Sequence, residues 1–242
     1  KIDMTKSFFN FFKKTDKKSS NEKGETLILT STASESSVTD ATDEELAEAW
    51  QDEQGALYSK DKTKLLKAPK YRSEYEVHPG TKIICGAAFW WCKSMHVIHI
   101  PYTVEMIGSA AFSECEKLEE IKLPDTINDI ADYLFSGCSG LQEVHLPDSI
   151  TRIGAHAFAN CTSLRSVEIP TRVKEIGERG FADCTSLESI TLPSYLTAIS
   201  ANTFRGCTNL HNVNIPSGVT TIGQNVFAEC ENLESLTIPP SV

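Results

Sequence analysis

One spacing dominates the sequence: three residue types recur every 23 positions without a slip from Phe89 onward. The phenylalanines are Phe89, Phe112, Phe135, Phe158, Phe181, Phe204 and Phe227. The cysteines are Cys92, Cys115, Cys138, Cys161, Cys184, Cys207 and Cys230. The prolines are Pro101, Pro124, Pro147, Pro170, Pro193, Pro216 and Pro239. A fixed period of this length indicates a repeat fold in which each unit stacks on its neighbours and buries a shared core.

One unit, residues 147–169, shows the pattern: PDSITRIGAHAFANCTSLRSVEI. Apolar and polar residues alternate over 166–169, which is typical of a strand with one buried face, and Pro170 ends the strand because it has no N–H. The unit therefore predicts an α/β repeat solenoid, curved and right-handed. Each coil would have one parallel strand, with short turn or helical segments on its other side. We expect a bend with positive φ at the recurring glycines, which are Gly108, Gly154, Gly177 and Gly223.

The consensus L-x-x-I-x-L-P-x-x-I-x-x-I-G-x-x-A-F-x-x-C resembles the BspA-like leucine-rich-repeat family, whose 23-residue units have proline where other leucine-rich repeats have asparagine. The resemblance covers residues 78–242, which would form seven leucine-rich repeats and the start of an eighth. The family includes bacterial surface proteins that bind proteins of a host or a neighbouring cell, and members of microbial eukaryotes without an assigned role. The resemblance thus implies a non-catalytic recognition scaffold.

Two segments precede the repeats. Residues 55–77 break the period but keep strand-like pieces around a polar turn, which predicts a hairpin that caps the first coil. Residues 1–54 are rich in serine, threonine, lysine and acidic residues, which predicts a mostly disordered segment. Within it, Thr42 and Glu45 have the spacing of a capping box, which predicts a short helix near residues 43–51.

Charge and motifs argue against several classes of function. The net charge of −10 and the absence of a basic face argue against a nucleic-acid partner. No nucleophile elbow, phosphate-binding loop or paired metal-ligand motif is present, so we expect no enzyme activity and no cofactor. His99 and His145 would lie roughly 9–10 Å apart, too far to share a metal ion. The cysteines at a strict period are expected to be buried free thiols.

The candidate partner-binding site lies on the outward positions of the predicted strands. These positions form two ladders: Val97, Glu120, Glu143, Ser166, Ser189, Asn212 and Ser235, and His99, Lys122, His145, Glu168, Thr191, Asn214 and Thr237. The amino-terminal half is charged and the rest is small and neutral, so we place a protein-binding patch on coils one to four, numbered from residue 78. A face that is merely solvated is the alternative.

Trp90 and Trp91 stand where other coils have small or polar residues. Either they are exposed aromatic contacts for a partner, or the cap or the helix that contains Trp50 covers them. The two readings stay open at this point.

Features at the two ends of the chain leave further alternatives open. The lysine-flanked phenylalanines within residues 8–12 offer a membrane-surface contact as a less favoured reading. The last coil leaves Leu233, Leu236 and Ile238 uncovered. Either the chain is cut from a longer protein, which is the favoured interpretation, or this end packs against another copy. The second interpretation gives a structural spacer or self-associating stack as the alternative function. No apolar run reaches the roughly 18–20 residues of a bilayer span, so the chain as it stands is expected in the cytoplasm. A surface or secreted location, as in related family members, is the alternative.

Overall fold

The computed structural model describes residues 38–242. The predictions for residues 1–37, which include most of the disordered segment and the phenylalanine-rich stretch at 8–12, lie outside the described residues. The described residues form a parallel β-solenoid of about eight turns with repeats of about 23 residues. Among them, no helix is long and apolar enough to cross a membrane.

The elements are one helix and three sets of strands. The helix is α1 (Asp43–Ala47), and the strands before the first coil are β1 (Trp50–Gln51), β2 (Leu57–Tyr58) and β3 (Lys64–Lys67). The long strands of the solenoid are β4 (Glu74–Glu76), β6 (Val97–His99), β8 (Glu120–Lys122), β10 (Glu143–His145), β13 (Ser189–Thr191), β15 (Asn212–Asn214) and β17 (Ser235–Thr237). The short strands are β5 (Ile83–Ile84), β7 (Met106–Ile107), β9 (Asp129–Ile130), β11 (Arg152–Ile153), β12 (Glu175–Ile176), β14 (Ala198–Ile199) and β16 (Thr221–Ile222).

Most coils carry two parallel strands, so the predicted single strand per coil is wrong. Long strands pair in register, as Glu143 does with Glu120, and short strands do the same, as Arg152 does with Asp129. The sequence does not predict the short strands. A strand such as β11 has only two residues, one of them inward, and so shows no alternation of apolar and polar residues.

Coil four departs from the pattern. Val167 is buried between exposed Ser166 and Glu168, as the sequence predicts, but residues 166–168 form no strand. Within the described part of the chain, their backbone amides donate no hydrogen bond to another backbone group. The long-strand face is therefore interrupted between β10 and β13, which are paired elsewhere.

The side of the coil opposite the long strands consists of turns. Among the described residues, α-helix occurs only at residues 38–39 and in α1, both of which precede the repeats. The described repeats consist of strands and turns, so the α/β class and the helical segments predicted from the sequence are not supported. The backbone amides bond to the next coil and not within a helix: the Phe135 N–H donates to Ala157 O (2.8 Å) and the Gly137 N–H to Ala159 O (2.8 Å). The curvature and the right hand of the stack stay predictions.

The recurring glycines do not have positive φ, so that expectation is also wrong. Positive φ occurs two residues later, for example at His156 (φ 55°) and Arg179 (φ 55°). The glycines allow close approach of the neighbouring coil, because a Cβ at Gly177 would lie 2.5 Å from the backbone nitrogen of Ala155. A side chain at this position would force the two coils apart.

The core runs through the whole stack as one file of aromatic rings. Phe158 is fully buried, with ring centroids 5.3 Å from Phe135 and 5.0 Å from Phe181. Beside this file, cysteine thiols donate to carbonyls of the preceding coil, as Cys161 Sγ does to Phe135 O at 3.2 Å. The eight cysteines are free thiols, and burial raises their pKa. They therefore serve both as small apolar side chains and as hydrogen-bond donors between coils.

The segment before the first coil closes the amino-terminal end of this core. β1, β2 and β3 are antiparallel, β3 pairs with β5 in parallel, and β4 pairs with β6 in parallel. Tyr58 and Tyr75 share a hydrogen bond of 2.7 Å between their hydroxyls, and Tyr75 donates to Asp52 at 2.5 Å. β4 therefore extends the long-strand sheet by one strand. The 23-residue period does not predict this strand, because Tyr75 stands where later coils have an aliphatic residue.

Candidate functional site

The long strands present one exposed face, which we call the sheet face and define by the outward residues of β4 to β17. On β6, β8 and β10 the outer two residues are exposed and the middle one is buried. The structure brings together the following candidate residues from the sequence on this face: Val97, His99, Glu120, Lys122, Glu143, His145 and Glu168. That they bind a partner stays a prediction.

Contacts between histidine and glutamate side chains, most of them between neighbouring coils, mark the charged half of the sheet face. His145 Nε2 lies 3.3 Å from Glu120 Oε1 and 3.4 Å from Glu143 Oε1. His99 Nε2 lies 3.1 Å from Glu74 Oε1, which belongs to β4. Glu74 and the neighbouring Glu76 were missed by the sequence because β4 lies outside the period, although both outward residues of this strand are acidic.

The face changes character along the stack. Carboxylates dominate β4 to β10, where Lys122 is the cation of the outward ladder, and β13, β15 and β17 present only small neutral side chains. These neutral outward residues are Ser189, Thr191, Asn212, Asn214, Ser235 and Thr237. The charged half is therefore the part of the face that can discriminate between partners by charge.

A polar cavity opens on the charged half where the sheet is interrupted. It has a volume of about 810 Å³ and lies between residues 142–146 of coil three and 165–168 of coil four. Gln142 and Arg165 line it together with Glu143, His145 and Glu168. The sequence pattern offered no signal for Gln142 and Arg165, because they precede the predicted strands.

The exposed side chains of this face can form ion pairs and hydrogen bonds with another molecule. Within residues 38–242, no group of three or more histidine, cysteine, aspartate and glutamate side chains is placed to hold a metal ion. The thiols are poor nucleophiles, because burial raises the pKa of Cys138 and Cys184 to about 12.

Trp90 and Trp91 lie in the turn between β5 and β6. Trp91 is 40% exposed, and Lys70 from the capping segment lies over both indoles. Trp50 packs instead against Tyr58, with ring centroids 5.7 Å apart. The capping segment therefore covers the tryptophans in part.

The last coil has apolar side chains that are less buried than their counterparts in earlier coils. Leu233 and Leu236 are half-buried and Ile238 is 56% exposed. Self-association through this coil stays a prediction.

A parallel solenoid with one aromatic core file and outward ladders in register is a leucine-rich-repeat scaffold, a class that is generally used for protein interaction and is typically not enzymatic. The chain belongs to the BspA type leucine-rich-repeat family, whose model matches six copies over residues 82–151 and 128–242. The family resemblance read from the repeat is thereby confirmed. No curated protein matches the chain.

Solved structures show the same architecture. A leucine-rich-repeat protein from Eubacterium ventriosum superposes with a TM-score of 0.71 at 24% identity, which shows the fold alone. The match covers 80% of this chain and 52% of that one, so the chain spans about half the length of that protein. The T. pallidum leucine-rich-repeat protein is 30% identical with a TM-score of 0.67, over 80% of this chain and 90% of that one. A Bacteroides ovatus leucine-rich-repeat protein is 28% identical with a TM-score of 0.61, over 79% and 57% of the two chains.

Proposed function

We propose that this chain is a non-catalytic recognition module that binds a protein partner through the sheet face of coils one to four, in an adhesion or adaptor role. The observation that carries the proposal is the confinement of charge to one half of the sheet face. The outward residues of β6, β8 and β10 are mostly charged or ionisable, whereas those of β13, β15 and β17 are neutral.

Two physical arguments support the charged half as the contact surface. The strands hold its side chains at fixed spacings, so little conformational freedom remains to be lost when a partner binds. The cavity beside Glu143 and Arg165 makes this part of the surface concave, so it can receive side chains of the partner. Carboxylates outnumber Lys122 on this half, so the matching partner surface is mainly basic and places a carboxylate opposite Lys122. Binding therefore weakens as salt concentration rises.

The test is affinity capture with three forms of the chain, followed by quantitative mass spectrometry. The face variant combines Lys122→Ala with Glu143→Ala, and the control variant combines Ser189→Ala with Asn214→Ala on the neutral half of the same face. A true partner is retained by the wild type and the control and is depleted at least about tenfold by the face variant, a change of about 1.4 kcal/mol. The purified pair should then bind directly, with an affinity that falls with salt.

All four substituted side chains are exposed, so the unfolding temperature of both variants should stay close to that of the wild type. This comparison separates lost contacts from lost fold. A partner retained equally by all three forms would refute the placement of the site on the charged half.

A further inference from the structure

Two lysine ammonium groups lie over the indole rings of the first coil. Lys70 Nζ is 5.6 Å from the ring centroid of Trp90 and 5.7 Å from that of Trp91, and Lys93 Nζ is 4.9 Å from that of Trp91. These distances fall within the range of cation–π attraction, about 6 Å. We call Lys70, Trp90, Trp91 and Lys93 the tryptophan patch. It lies in the turns of coil one and the capping segment, not on the long strands.

The backbone of Trp91 is in the left-handed region, with φ 62°. The residues at the equivalent position of the other coils are Glu114, Gly137, Asn160, Asp183, Gly206 and Glu229. Left-handed backbone favours glycine, asparagine and aspartate, and it disfavours a bulky side chain. Trp91 is also 40% exposed, so part of its indole ring remains available to a partner. A strained, exposed tryptophan is an observation that points to a role beyond folding.

The capping-segment side of the patch is basic, opposite in charge to the sheet face. Residues 67–72 read KAPKYR, with three cations and no acid. Lys93 is paired with Glu116, whereas Lys70 has no carboxylate partner within the described part of the chain. Glu114 and Glu116 lie at the edge of the patch beside Lys93, and burial, followed by the nearby carboxylate of Glu116, raises the pKa of Glu114. Lys70 therefore offers an ammonium group that the fold has positioned without an anion.

We propose that the tryptophan patch binds an acidic peptide segment of a partner protein. A carboxylate of the segment pairs with Lys70, and a neighbouring apolar side chain packs on the exposed face of Trp91. Contact between the ammonium groups and the indole rings holds the lysine side chains in place before binding, which lowers the entropic cost of ordering them. Tryptophan is also one of the residues enriched in protein-binding hot spots.

The probe is a short fluorescein-labelled peptide rich in glutamate with one central leucine, and its binding is measured by fluorescence anisotropy. A peptide with lysine in place of each glutamate is the matched control. Lys70→Glu should weaken binding of the acidic peptide at least about tenfold by reversing the charge. Trp91→Asn should weaken it about tenfold by removing the aromatic surface. Because Asn160 has φ 61° at the equivalent position, Trp91→Asn should also leave the unfolding temperature unchanged or raise it.

The sheet-face variant with Lys122→Ala and Glu143→Ala should bind the acidic peptide as the wild type does, so this experiment can fail or succeed independently of the proposed function. The proposal is overturned if the acidic and basic peptides bind equally, or if Lys70→Glu leaves binding unchanged. It is also overturned if the chain binds only heparin or vesicles of anionic phospholipid, or if Trp91→Asn lowers the unfolding temperature without affecting binding.

Discussion

Phe158 and Phe181 allow a direct test of whether the core is one continuous file. Both side chains are fully buried, their ring centroids are 5.0 Å apart, and their planes differ by 2°. Leucine at either position keeps an apolar side chain but removes the ring, so we expect each single variant to lose about 1–3 kcal/mol of unfolding free energy. Aromatic pairs contribute roughly 0.5–1.5 kcal/mol beyond burial. The double variant should therefore lose less than the sum of the single variants, by about that amount.

The control cycle pairs Phe181 with Phe112, which is separated from it by the rings of Phe135 and Phe158. Residues without shared contacts are expected to be additive within about 0.5 kcal/mol. Urea unfolding followed by far-ultraviolet circular dichroism measures all the variants, and a shared m-value checks that the stack still unfolds as one unit. Equal coupling in the two cycles, or none in the adjacent one, would refute a core built from nearest-neighbour contacts between coils.

Two further predictions test the spacing of the coils and the burial of the thiols. Gly177→Ala should lower the free energy of unfolding, measured by urea titration, by about 1–3 kcal/mol, because the new Cβ would meet the Ala155 nitrogen at 2.5 Å. Gly218→Ala, whose Cβ would lie 3.5 Å from its neighbours, should be close to neutral, and similar losses in both variants would contradict the close-approach role. Burial raises the pKa of Cys138 and Cys184 from 9.0 to about 12, so the unfolded chain releases these protons first. Stability from this source is complete below pH 9 and is lost as the pH rises towards 12; urea midpoints that stay constant from pH 8 to pH 11 would count against it.

Sequence reading succeeds for the features that depend on whether a residue points inward or outward. The ladders of Phe158 and Cys161 are buried, and the predicted outward positions of β8 are exposed. The period carries this information because every coil must bury the same side chains against its neighbours, so the same positions are apolar each time. The family follows from the same repeat.

Sequence reading fails for the features that depend on where the backbone hydrogen bonds go. The two-residue strands, the left-handed residues such as His156, and the missing strand at 166–168 involve bonds between different coils. A short polar segment has no pattern that distinguishes a turn bonded to the next coil from a short helix. The glycine at position 177 shows this well, because its role is set by the backbone of Ala155 in the preceding coil and not by its own φ.

The sequence by itself determined the repeat length, the family, the residues of the core and the charged half of the outward ladders. The tertiary structure alone decided that Glu74 joins that face and that Lys70 lies over Trp91. These contacts join the irregular capping segment to the first coil, where the period no longer relates one position to another. The repeating pattern shows which residues of each coil are buried. The contacts between the capping segment and the first coil depend instead on how the folded chain covers the amino-terminal end of the core.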